Sequence, residues 1–204
     1  MILEGAFFLT CKVPIAMNKN IYLDAGLKFI NFLHTYECTN PSSSPNQNYQ
    51  YEVRRYQEKD YHHVLKLTSG AFRNSRFHQD EKIGFSNAER IKRQWIISNL
   101  TSRNDVETFV ISSIENREMP IGYVSFLVTD LALVIDLIAI QNDFRRKGLG
   151  RFLVLQVLTE AKNQGLGVRV GTQSGNPAVD LYLSLGFSPI SIESVFHYMN
   201  EAIK

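Results

Sequence analysis

The chain has 204 residues, of which 44% are hydrophobic and 21% charged, with a formal net charge of +2. That is enough chain to bury one good core, and the balance excludes a disordered tail and bulk nucleic-acid binding. Positive charge with a task must therefore be local, and Arg145, Arg146, Lys147 and Arg151 are clustered. Cys11 and Cys38, the two cysteines, form no C-x-x-C pair, so they read as small idle or buried thiols and no metal site is expected. The apolar start, MILEGAFFLTCKVPIAM, is interrupted by Glu4 and Lys12 without a preceding basic stretch, which argues against a signal peptide. No run is long and apolar enough to span a bilayer. The expectation is a cytoplasmic protein with no membrane or nucleic-acid partner.

In chain order, an apolar run over residues 6–13 precedes a helix-like piece at 20–25, then Gly26 and a strand-like run at 27–36. Residues 1–40 are too few to hold a core alone, so they should dock on the larger downstream domain as a small N-terminal α/β extension. The polar, proline-bearing stretch at 41–48 reads as a linker to that main domain, 49–204. The domain should open with a strand at 49–55 and an amphipathic helix at 60–72, where Val64, Leu65, Leu67, Thr68 and Phe72 recur at helical spacing. Ser86 and Glu89 have the spacing of a capping box for a helix running to about residue 100, with Ile91, Trp95 and Ile96 inward.

Two β-rich runs at 107–115 and 121–128 suggest a hairpin. Residues 133–140 are almost continuously apolar, as in a central strand covered on both faces. A helix at 148–164, a strand at 167–172, a helix at 176–185 and a strand at 194–199 complete the pattern. The order predicts an α/β fold with a mixed, mostly antiparallel sheet flanked by helices.

The informative junction is residues 138–154, IAIQNDFRRKGLGRFLV, where a buried strand ends and a helix begins at paired glycines. Unpaired amides and the positive end of a helix dipole bind phosphate. Gly148 and Gly150 let that backbone approach a pyrophosphate, and Arg145, Arg146 and Lys147 add fixed charge. The stretch lacks the G-x-G-x-x-G of a dinucleotide site and the Gly-Lys-Ser/Thr ending of a P-loop.

RRKGLG resembles the pyrophosphate signature of the GNAT superfamily of N-acetyltransferases, with Arg145, Gly148 and Gly150 in the defining places. NPAVDLYLSLGF (176–187) is similar to that family's second signature: an asparagine, a Leu-Tyr pair, then Gly-Phe. The resemblance implies a GNAT fold and acetyl-CoA as co-substrate. It implies that the backbone of Ile138, Ala139 and Ile140 pairs with pantetheine amides, and that amides from Arg146 through Leu149 to Gly150 hold the pyrophosphate. Asn176 should touch the pantetheine arm or cap the next helix.

The same resemblance places Tyr182 near the cofactor sulfur as candidate general acid, since a phenol with a pKa near 10 is protonated at neutral pH and can donate to a thiolate of about 8.5; the competing role is a half-buried tyrosine bonded to water. No cysteine nucleophile is needed, so direct transfer in a ternary complex is simplest, with the Ile138 amide polarising the thioester. Asp136 is the candidate base or substrate anchor, against a water relay or a structural aspartate. Many family members carry an acid nearer the start of this strand, where this chain has Val134.

For the acceptor, the segment NSRFHQD (74–80) offers Arg76, His78 and Asp80 after the first helix, where the family builds its acceptor wall, and His197 is a further candidate; His34, His62 and His63 read as surface or packing residues. RFHQD, VGTQSGN (170–176) and the short N-terminal piece are similar to the branch that acetylates a dTDP-linked amino sugar. LDAGLKFIN (23–31) is similar to LYLSLGF, as a degenerate half-copy of the fold. The implied partner is a small-molecule amine, such as a nucleotide sugar; a peptide or polyamine acceptor and a non-catalytic acyl-CoA-binding module are the alternatives. Strand-edge pairing or exchange of the N-terminal piece offers a route to a homodimer.

Overall fold

β-branched and aromatic runs build a single mixed sheet in the computed structural model, which describes residues 8–40 and 50–200; the linker at 41–48 lies outside them. The elements are β1 (Phe8–Pro14), α1 (Asn20–Asp24), β2 (Lys28–Cys38), β3 (Tyr51–Arg55), α2 (Tyr61–Thr68), α3 (Gly84–Thr101), β4 (Val106–Ser113), β5 (Gly122–Val128), β6 (Ala132–Ile140), α4 (Leu149–Asn163), β7 (Gly167–Gln173), α5 (Ala178–Ser184) and β8 (Ser188–Met199). The sheet order is β1-β8-β2-β7-β6-β5-β4-β3. Every pairing is antiparallel except β6 with β7.

Helices cover both faces. On one, Leu149, Leu153, Val157 and Leu158 of α4 pack on Phe126, Leu133, Ile135 and Val168. On the other, Val64 and Leu65 of α2 and Ile96 of α3 pack on Val110, Tyr123, Leu137 and Ala139. Leu133 and Ile135 thus face α4, whereas Leu137 and Ala139, still odd-numbered, face α2 and α3. A strand alternates sides with period two, so the parity has flipped. The cause is a bulge: Ser125 pairs with Leu137 and Phe126 with Ile135, leaving Asp136 as the extra residue.

The N-terminal strands β1 and β2 are woven into the sheet. β8 lies between β1 and β2, and β2 lies between β8 and β7. Because β1 and β2 both run antiparallel to β8, they are parallel to each other; the same holds for β7 and β8 about β2. Two β-α-β units, β1-α1-β2 and β7-α5-β8, therefore interleave. Each joins helix to strand through a left-handed glycine, Gly26 at φ 82° and Gly186 at φ 85°.

Three local expectations are corrected. α2 ends at Thr68, because Ser69 turns extended and Gly70 takes φ 68°. α3 begins at Gly84, so Ser86 lies inside the first turn and caps nothing. Glu89 reaches across to the loop instead, accepting from the Gly70 amide at 2.8 Å and pairing with His78 Nε2 at 2.9 Å. β8 starts at Ser188, well before residue 194, along an exposed stretch whose apolar pattern is weak.

Candidate active site

β6 and β7 are hydrogen-bonded only from Ala132–Ile135 against Gly167–Val170, and then diverge. The bulge at Asp136 adds twist at the point of separation. Beyond it β6 keeps its partner β5 but loses β7, and a cavity of about 730 Å³ opens between the two strands. Its walls include β6 from Val134 to Ile140, β7 from Val170 to Gln173, the start of α4 and Tyr182.

At one end of the cavity the chain leaves β6 through a single turn at Asn142–Phe144 and enters α4. Arg146 takes φ 59° and Gly148, at the N-cap, φ 78°, and no side chain caps the helix. Left-handed residues just before a helix gather amides into a concave anion-binding surface. A side chain at 148 would be strained there, and Gly150 lies close to Leu181, which a Cβ would meet at 3.6 Å. Leu149 is 1% exposed and pins the helix start into the core. Arg145 bends back, its Nε donating to the Ile140 carbonyl at 3.0 Å, and Lys147 sits 5.0 Å over the Phe144 ring. Arg145 is thus a strut of the loop as well as a local charge.

Tyr182 of α5, the helix beside the start of α4, also lines the cavity, 3% exposed, with its ring against Phe187. Burial pushes its phenol well above the ordinary value, so it stays protonated. Asn176 is held locally on both ends of its amide: Nδ2 donates to Thr172 Oγ1 at 2.7 Å and Oδ1 accepts from the Ala178 amide at 3.0 Å. That is the helix-capping alternative, although the residue also lines the cavity.

At the other end, Asp136 points from the bulge toward α3, where its Oδ2 accepts from Trp95 Nε1 at 2.8 Å and Asn99 Nδ2 at 2.7 Å. Arg76 and Lys92 line the same end. The Arg76 guanidinium lies 4.4 Å over Phe77, and the Lys92 ammonium 4.4 Å over Trp95. Burial pushes Lys92 down to about 8, with Arg76 adding to the effect and Asp136 opposing it. Burial also lowers Arg76.

The other acceptor candidates are not lining residues of this cavity. His78 bridges Ser75 Oγ at 2.8 Å and Glu89, tying the loop to α3. Asp80 and His197, each 3% exposed, bond to one another at 2.7 Å behind Phe77. Their chemistry is spent on joining the wall to β8, because a buried carboxylate and imidazole stabilise each other best as a pair.

Lys92, Trp95 and Asn99 were not singled out as site residues by sequence, although a signal existed. Ala88, Lys92, Ile96 and Asn99 fall on one buried helical stripe, and polar residues at inward positions of an amphipathic helix need a polar partner.

Comparison with known proteins adds three findings. Residues 48–187 match the model of the acetyltransferase (GNAT) family. The spore coat polysaccharide biosynthesis protein SpsD of Bacillus subtilis (strain 168) is 29% identical over 137 residues, 66% of this chain and 45% of that protein, so the match spans less than half of the relative's length. Among solved structures, a functionally unknown conserved protein from Staphylococcus epidermidis ATCC 12228 superposes with a TM-score of 0.70 at 17% identity, covering 95% of this chain and 73% of the other. A GCN5-related N-acetyltransferase from Sphaerobacter thermophilus gives 0.64 at 13% identity, with 94% and 59% covered. At these identities the structural likeness speaks for the fold alone.

Proposed function

Because the chain belongs to the acetyltransferase (GNAT) family, we propose that it moves an acetyl group from acetyl-CoA directly to a primary amine, carried by a nucleotide-linked amino sugar. The observation behind this reading is one cavity that joins the uncapped start of α4, the diverging strands β6 and β7, and the buried Tyr182. The sugar acceptor draws its support from the polysaccharide pathway named for the SpsD relative and from the cations Arg76 and Lys92.

The residues present fit the co-substrate. The concave backbone around Arg146 and Gly148 suits a diphosphate, and the edge of β6 released by β7 offers peptide groups to a pantetheine arm. Acetyl-CoA supplies the activated acetyl thioester. Amides from Arg146 to Gly150 hold its diphosphate, with Arg146 and Lys147 as counter-charges. Backbone groups of Ile138, Ala139 and Ile140 orient the arm, and the Ile138 amide polarises the reacting carbonyl. Asn176 contributes by keeping the β7–α5 corner in shape beside the arm. Tyr182 donates a proton to the departing sulfur; burial raises its pKa and so makes it a weaker acid, which gives up the proton only as negative charge builds on that sulfur. Asp136, fixed by Trp95 and Asn99, anchors the incoming amine or draws its surplus proton away through water.

The test reads free thiol release from acetyl-CoA with nucleotide amino sugars, peptides and polyamines offered in parallel, alongside calorimetric titration of coenzyme A. Saturable CoA binding and turnover on an amino sugar are expected; no CoA engagement at millimolar ligand sinks the reading. Tyr182→Phe should lower kcat by about 10²-fold while leaving CoA affinity in place. Unchanged turnover removes Tyr182 from the chemistry.

A further inference from the structure

We infer that Arg76 and Lys92 form an anion-recognition pair in the acceptor end of the cleft, so that the amine accepted there carries a phosphate or carboxylate of its own. The inference rests on the acetyltransferase reading of the same cavity and narrows its acceptor. Lys92 is 8% exposed, and its ammonium is surrounded by the rings of Trp95, Phe72 and Phe77 at 4.4, 5.2 and 5.7 Å. Among the described residues no hydrogen bond or ion pair reaches it. Arg76 stacks on Phe77 and Trp95, and its Nε is buried without a partner.

Buried charges are ordinarily paired. Here the neighbouring carboxylate is that of Asp136, whose Oδ2 is already engaged by Trp95 and Asn99. Two cations face one anion in the wall of the cavity, with aromatic rings packed about them. Aromatic faces hold the cations in position without neutralising them, so the pair remains short of negative charge. An anionic ligand supplies it, with one guanidinium and one ammonium as donors.

Position narrows the chemistry further. Asp136 lies two residues, roughly 7 Å, along β6 from Ile138, the amide assigned to the reacting carbonyl. The anion therefore belongs on or next to the amine-bearing unit, as the anomeric phosphate of an activated amino sugar or the carboxylate of an amino-uronate would. A polyamine, cationic throughout, is the acceptor this end of the cleft repels.

Trp95 is the only tryptophan in the chain and touches both cations, so its fluorescence reports on this spot. The protein is first saturated with coenzyme A, which occupies the diphosphate site, and then titrated with methyl phosphate, acetate, or chloride at matched ionic strength. A saturable change with methyl phosphate or acetate, absent with chloride, is expected, and which of the two acts at lower concentration identifies the ligand class. Lys92→Met and Arg76→Met should each weaken it about tenfold or more, the loss of a charge-assisted hydrogen bond, and Lys92→Arg should retain it. A response no different from that of chloride, or equal affinity in the methionine variants, overturns the inference. If those variants do not fold, the wild-type comparison with chloride decides alone. Failure of coenzyme A to bind in the first stage would instead count against the acetyltransferase reading.

Discussion

At the scale of single residues, the end of the cleft proposed for the acceptor sets Asp136 against Lys92 and Arg76, and the two signs should separate in stability measurements. Lys92 is pushed down from 10.5 to about 8, so its charged form is disfavoured in the fold. Such a group costs stability at any pH below about 8, and the cost fades as pH rises toward the unfolded value. The displacement corresponds to about 3 kcal/mol at neutral pH. Lys92→Met should therefore raise the melting temperature at pH 7, with the advantage shrinking above pH 8. Asp136→Asn should do the reverse, lowering stability by about 3 kcal/mol because it leaves two buried cations without a counter-charge. Thermal melts of both variants across pH 6–10 check this; equal shifts of one sign would mean that the three charges do not act on one another. The arrangement explains why the sequence was only partly legible here. Asp136 stood out as a charge in an apolar strand, but its partners lie on a helix some 40 positions earlier, and no spacing rule connects them.

At the scale of elements, the start of α2 depends on one buried ion pair. Asp60 is fully buried and receives two bonds from Arg54 of β3, at 2.6 and 2.8 Å, with a third from the Gln57 amide at 2.9 Å. Burial alone would raise its pKa, yet Arg54 and the Gln57 amide outweigh burial and hold it below the usual carboxylate value. The stabilisation is present above the unfolded pKa of about 3.9 and is lost as pH falls through the lower folded value. Asp60→Asn should cost about 3 kcal/mol at pH 7 and flatten the acid limb of the stability profile, as denaturant titrations between pH 2 and 7 would read. A loss that is unchanged at pH 2 would mean that charge is not the cause. Element existence was readable from periodicity, since α3, α4 and β4 to β7 lie close to their expected places. Element ends were less so: Ser86 and Glu89 have the spacing of a capping box, but Glu89 gains more from Gly70 and His78 across the fold. The flip of β6 at Asp136 likewise depends on its register with β5, which only pairing reveals.

At the scale of the whole molecule, the interleaving of the two β-α-β units makes the N-terminal strands β1 and β2 indispensable. β8 has β1 and β2 as its neighbours, so deleting the first 40 residues strips that strand of both ladders and leaves β7 with one open edge. A fragment starting at residue 49 should show no cooperative melt and no CoA binding, and co-expression with residues 1–40 should restore both; a stably folded fragment would refute the argument. By itself the amino-acid sequence determined the kind of fold, its ladder of helices and strands, and the basic, glycine-flanked start of α4, because amphipathic period, glycine placement and clustered arginines are local properties. The weave of the N-terminal strands about β8, the retreat of His78, Asp80 and His197 behind the wall, and the arrival of Lys92 beside Arg76 were decided in three dimensions. Each depends on which distant segments come into contact, and burial sets the charge a side chain can carry only once those contacts exist.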